Sequence, residues 1–119
     1  MSRLDYFNAR LEATVSPMDL MQAQKSNPDK YIVVDVRNAP PHILKHKIAG
    51  AKSIPLSQLS QRLEELPTDK SIVVYCWETW CNMAANAAVI LLEHGYDVVE
   101  LVGGIAAWNT MKFPVEQLQ

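Results

Sequence analysis

Three short runs of β-branched and other apolar residues, Tyr31 to Val34, Ile72 to Tyr75 and Val98 to Val102, constrain this chain more than any other feature. They are apolar almost throughout, so each reads as a strand buried on both faces, the habit of parallel sheets. Helical patterns fill the intervals. Ser16, Pro17 and Asp19 supply the N-cap, first and third positions of a helix that should end before the Ser26-Asn27-Pro28-Asp29 turn cluster. Ser57 is placed to cap a second helix with Leu59, Leu63 and Leu66 as its apolar stripe and Pro67 as its stop. A third runs from Asn82 to His94, with Gly95 as its C-terminal stop. It is alanine-rich and nearly apolar all round, and is expected to lie buried against the sheet. Gly103-Gly104 breaks the chain before a short Ile105 to Asn109 helix, and Phe113-Pro114-Val115 closes the unit. Residues 1–12 read as a helical extension with Leu4, Phe7 and Leu11 on one face, expected to pack on the outside. Strand and helix alternate, which predicts an α/β architecture with a mainly parallel sheet.

A chain of 119 residues suits one domain over 1–119, large enough to bury a core. Its 49% hydrophobic and 20% charged residues exclude a disordered or collagen-like chain. A net charge of −2 gives no global field to attract nucleic acid or an anionic membrane, so partners must be recognised locally. The longest apolar run, Ala87 to Leu92, is far short of the ~20 residues of a membrane span. The N-terminus lacks the apolar stretch of a signal peptide, and a cytoplasmic location is expected. Two cysteines are too few for a disulfide scaffold or a four-thiolate zinc site, so if they matter it is as reactive thiols.

Ligands of open α/β sheets collect outside the carboxyl ends of the strands. Cys76 is expected there: it follows the run Ile72 to Tyr75, and Trp77-Glu78-Thr79-Trp80-Cys81 separates it from the Asn82 helix. A strand, a short turn and a helix N-terminus cradle an anion, because unsatisfied backbone N–H groups and the helix dipole face the turn. A thiol in that cradle is favoured as thiolate. A small buried apolar side chain at a strand end is the other reading of Cys76.

Four segments resemble the single-domain rhodaneses, sulfurtransferases that pass sulfane sulfur through a cysteine persulfide. Val33-Val34-Asp35-Val36-Arg37 is similar to the first signature strand and Ile48-Ala49-Gly50-Ala51-Lys52-Ser53-Ile54-Pro55 to the second motif. Val73-Val74-Tyr75-Cys76 resembles the strand entering the active-site loop, and Gly103-Gly104-Ile105-Ala106-Ala107-Trp108 the last helix signature. They occur in order and at family spacing, and the resemblance runs from about residue 12 to residue 116. It implies a rhodanese-like α/β fold, its mainly parallel central sheet flanked by helices on both faces. It also implies that Cys76 is the nucleophile, in a loop like the Cys-Trp-x-x-x-Cys-Asn variant of the family. Phosphatases of the same fold have a loop one residue longer and an arginine where this chain has Asn82, so phosphoryl chemistry lacks its cation. Many active relatives have glycine at the position of Thr79, a basic residue at that of Cys81, serine or threonine at that of Asn82, and histidine at that of Lys47. With Glu78 in the loop, an anionic donor such as thiosulfate is expected to meet backbone N–H groups alone.

Cys81 reads either as a second thiol beside the persulfide, within disulfide reach of Cys76 after a modest rearrangement, or as a loop residue with its sulfur turned away. Trp77 and Trp80 read as a pocket rim or as packing and docking residues. With Glu78, Thr79 and Asn82 they make up the expected substrate-binding set. The resemblance gives Asp35 and Arg37 structural hydrogen bonds near the loop; Trp108 is assigned to the core. His42, His46 and His94 do not make a metal set, and Lys45, Lys47 and Lys52 read as a solvated face that could approach the pocket mouth.

The expected activity is sulfur transfer by nucleophilic catalysis, with no cofactor and no metal. Its partners would be a small-molecule or protein persulfide donor and a thiol acceptor, with no nucleic acid or membrane. The alternative is a non-catalytic rhodanese-fold module that binds a partner or senses redox state through Cys76 and Cys81.

Overall fold

The computed structural model describes residues 1–118. Its helices are α1 (Arg3–Ala13), α2 (Pro17–Ser26), α3 (Pro41–Leu44), α4 (Leu56–Leu59), α5 (Met83–Glu93) and α6 (Gly104–Thr110). Its strands are β1 (Thr14–Val15), β2 (Tyr31–Asp35), β3 (His46–Ile48), β4 (Lys52–Ser53), β5 (Ser71–Tyr75), β6 (Asp97–Leu101) and β7 (Val115–Gln117). Five of these form a sheet in the order β1-β6-β5-β2-β4, with every pairing parallel. β3 and β7 pair antiparallel as a separate ribbon. The three apolar runs are the three inner strands, in register from Ile32 to Ile72 to Val98.

Successive side chains of a strand point to opposite faces, and the core divides accordingly. Val33, Val73 and Tyr75 pack with Leu20 of α2 and with Ile105 and Trp108 of α6. Val34, Ile72, Val74 and Cys76 pack with Leu59 of α4 and with Ala84, Ala87 and Leu91 of α5. Helices therefore cover both faces, as the α/β reading expects. Each fully buried Val, Leu or Ile contributes roughly 1.5–3 kcal/mol relative to exposure.

Three expectations need correction. The Ser57-capped helix is not continuous. Ile54 and Leu56 donate their N–H groups to the Asp35 and Val36 carbonyls, each at 3.0 Å, so the chain turns into α4 directly from its pairing beside β2. Pro55 occupies the cap position, and α4 ends at Leu59. Beyond it the Arg62 N–H reaches back only to Leu59 O, and a separate 3-10 turn spans Leu63–Glu65. Leu59 and Leu66 still enter the same core, from two short turns rather than one stripe.

The second correction concerns α5, whose boundaries agree with the Asn82 to His94 reading. Its alanine face lies on the sheet, but Val89 and Leu92 on its outer side are exposed. The third concerns α1, which stands on the outside as expected but not through its apolar face: it buries no residue at all, and Leu4, Phe7 and Leu11 are 70%, 51% and 73% exposed. This helix stands beside β1 and β6 with its apolar stripe turned to solvent. The two- and three-residue strands and α3 were not read from the sequence, because so few residues display no period. No helix among the described residues is long and apolar enough to cross a membrane.

Candidate active site

Cys76 directly follows β5, the middle strand of the five, at the carboxyl edge of the sheet. The loop it opens is held from behind by α6. Ile105 N–H donates to Cys76 O at 2.9 Å and Ala106 N–H to Trp77 O at 3.0 Å. This approach requires glycine at 104, where φ is +59° and an added Cβ would lie 2.5 Å from Cys76 O. The Gly103-Gly104 break thus lets the helix end close on the loop backbone.

A buried ion pair fixes the loop from the side. Asp35 accepts from the backbone N–H, Nε and guanidinium of Arg37, the shortest contact being 2.7 Å, and from the Tyr75 hydroxyl at 3.0 Å. Both side chains are almost fully buried. Arg37 also donates to His46 O at 2.7 Å and lies 4.7 Å from the centre of the Trp77 ring. Burial, and then the Asp35 charge, push the Tyr75 phenol well above its usual range, so it remains a neutral donor. Asp35 and Arg37 therefore hold the residue next to Cys76 in place.

Cys76 and Cys81 form a disulfide, with Cα atoms 6.5 Å apart, inside the usual range for such a bond. Of the two readings of Cys81, the structure has the one in which its sulfur faces Cys76. Cys81 N–H donates to Glu78 O at 3.1 Å, whereas the N–H groups of Glu78, Thr79 and Trp80 reach no acceptor among the described residues. Asn82 is the N-cap of α5 but its side chain makes no capping bond. The loop between the two cysteines thus carries backbone donors without acceptors and leads into the N-terminus of α5, an arrangement suited to negative charge.

A cavity of about 340 Å³ opens beside Cys76, and Cys81 is not part of its lining. Cys76, Glu78 and Thr79 line it from the loop, Tyr6 and Arg10 from α1, and Glu100 from β6. Burial raises the Glu100 carboxyl above its ordinary range. Trp77 and Asn82 lie outside that lining, as does Trp80, which is 69% exposed. Lys47 donates to Ala51 O and Lys52 pairs with Glu65, so neither is in the lining. Among the described residues no group of three or more His, Cys, Asp and Glu is arranged to hold a metal. The sequence reading missed Tyr6, Arg10 and Glu100. The signals were present: Tyr6 and Arg10 are one turn apart on α1, and Glu100 is the lone charge inside the apolar Val98 to Val102 run. Arg10 is a cation in that lining which the sequence reading did not place near Cys76.

The model of the rhodanese-like domain family matches residues 16–111. The HTH-type transcriptional regulator Rv0324 of Mycobacterium tuberculosis is 32% identical over 89% of this chain, which spans 46% of that protein, less than half its length. A sulfurtransferase of Allochromatium vinosum is 32% identical over 71% of this chain and 77% of its own. The crystal structure of a full-length protein from Lactobacillus plantarum superposes with a TM-score of 0.92 at 31% identity, covering 97% of this chain and 96% of that one.

Proposed function

The chain belongs to the rhodanese-like domain family, and on that premise we propose that it is a sulfurtransferase in which Cys76 carries sulfane sulfur as a persulfide. The observation that carries this reading is the Cys76–Cys81 bond beside a cavity, at the mouth of a strand–loop–helix anion cradle. The sulfurtransferase relative supports the same class of reaction. In the dithiol form the Cys76 thiolate attacks the outer sulfur of a persulfide donor. The donor S–S bond breaks, the donor leaves as thiolate, and Cys76 holds the transferred sulfur. An acceptor thiolate then attacks that sulfur, and the Cys76–sulfur bond breaks with its electron pair left on Cys76. Backbone N–H groups of the loop and the α5 dipole stabilise the negative sulfur in each step.

Cys81 has its own branch. Its thiolate attacks Cys76 Sγ of the persulfide and expels hydrosulfide, and the product is the disulfide. In the cytoplasm, where we place the chain, thiol reductants return that bond to the dithiol. Trp77 and Trp80 flank the loop, and the Cys-Trp-x-x-x-Cys-Asn pattern is read as a working variant rather than a dead site. No cofactor takes part.

The disulfide also favours a second reading, a redox-sensing module, and the transcriptional-regulator relative accords with it. Steady-state transfer from an organic persulfide to a thiol separates the two. An enzyme turns over many times per chain under reducing conditions and stops on Cys76→Ser. A sensor forms and loses its disulfide without catalytic transfer.

A further inference from the structure

The N-terminal helix is the least buried element of the molecule, yet it supplies one wall of the Cys76 cavity. Its Arg10 faces a space shared with Glu78 and Glu100. Ion pairs within 4.0 Å among the described residues join Arg37 to Asp35, and both Lys52 and Arg62 to Glu65; Arg10 is in none of them. A cation and carboxylates thus border one small cavity, and Arg10 forms no ion pair within 4.0 Å with either carboxylate. Arg10 sits on an exposed helix, and Glu100 sits near the carboxyl end of the inner strand β6, half-buried, aligned with Thr14.

We propose that Arg10 and Glu100 are specificity-determining residues that select, as sulfur acceptor, a small thiol carrying both a carboxylate and an ammonium group, the chemical class of free cysteine. The proposal rests on the sulfurtransferase reading of Cys76. Arg10 takes the carboxylate, since its guanidinium offers paired donors to a planar anion. Glu100 takes the ammonium. Burial disfavours its charged form, and a ligand cation would relieve that. Glu78, the other carboxylate of the lining, is exposed on the loop and better hydrated, so Glu100 gains more from a counter-charge. The chemistry is the transfer already described. The acceptor thiolate bonds to the outer sulfur of the Cys76 persulfide, leaves as a persulfide, and Cys76 regains its thiolate.

The test uses four acceptors: cysteine, mercaptopropionate without the ammonium, cysteamine without the carboxylate, and mercaptoethanol without either. Each variant is compared with wild type on the same thiol, so intrinsic nucleophilicity cancels. Arg10→Ala should lower kcat/KM roughly 10-fold for cysteine and mercaptopropionate, mainly through KM, and leave cysteamine and mercaptoethanol unchanged. Glu100→Gln should lower cysteine and cysteamine and leave the other two. Equal loss on all four thiols, or on none, overturns the assignment. Serine keeps both charges but cannot take sulfur, so its binding, followed by NMR titration, is read independently of transfer. It should bind the reduced wild type, more weakly in both variants; no binding to wild type, or unchanged binding in both variants, also overturns the assignment. A chain that never loads sulfur on Cys76 refutes the transferase reading, and serine binding still decides the pocket.

Discussion

α1 and α2 are 11 and 10 residues long, and each starts from a serine whose Oγ accepts the N–H of an aspartate three residues on, at 3.1 Å. α1 even completes a capping box, with Asp5 accepting from the Ser2 N–H. Local chemistry therefore predicts helix equally well in both. The packing separates them: α2 buries Leu20 completely beneath the sheet, whereas α1 buries nothing and turns Leu4, Phe7 and Leu11 outward. One serves the core, and the other contributes the polar residues Tyr6 and Arg10 to the cavity at Cys76. An apolar stripe at helical spacing signals a helix, but it does not say which face the molecule uses.

Leucine truncation should divide the two helices most sharply. Leu20→Ala should cost about 2–5 kcal/mol in chemical denaturation, since it removes a fully buried side chain from a packed core. Leu4→Ala and Leu11→Ala should each stay within about 0.5 kcal/mol of wild type. A large loss from either would mean that the stripe of α1 is covered in solution.

The caps give a smaller contrast. Ser16→Ala should lower global stability by about 1 kcal/mol. Ser2→Ala removes the same bond and should leave the global transition in place, while hydrogen exchange accelerates within Arg3–Ala13 alone. Equal global losses would show that α1 unfolds with the core.

Smallest is a pH effect at Glu100, next to which α1 packs. Burial raises its folded pKa above the ordinary 4.5, so folding favours the protonated form. Its contribution to stability is fully present below 4.5 and is lost as pH rises through the folded value. Glu100→Gln should therefore melt slightly above wild type at neutral pH and converge with it in acid. The same small offset at both pH values would show that Glu100 is hydrated, with α1 lifted from β6.

The inner strands were legible because β-branched runs without alternation suit only a sheet covered on both faces. The ends of α5 were legible from Asn82, His94 and Gly95, and Cys76 from its place between strand and helix. Leu59, Leu63 and Leu66 misled, because helical spacing was read without the hydrogen bonds that tie Ile54 and Leu56 to the neighbouring strand. Arg10 and Glu100 were not legible as a site, since 90 residues of chain separate them and only the parallel pairing of β1 with β6 brings their surroundings together. Trp77 was read for its position in the loop, but its partner Arg37 lies in another motif, and the stacking appears only in three dimensions.

Intact mass of the reduced protein after one equivalent of an organic persulfide tests the central claim most directly. Cys81→Ser should retain one added sulfur, removable by reductant and located on Cys76. The wild type should release hydrosulfide and end as the Cys76–Cys81 disulfide with no sulfur added, and Cys76→Ser should take up none. An adduct that survives in Cys76→Ser, or a Cys81→Ser protein that acquires no sulfur, would contradict the assignment of Cys76 as the sulfur-carrying nucleophile.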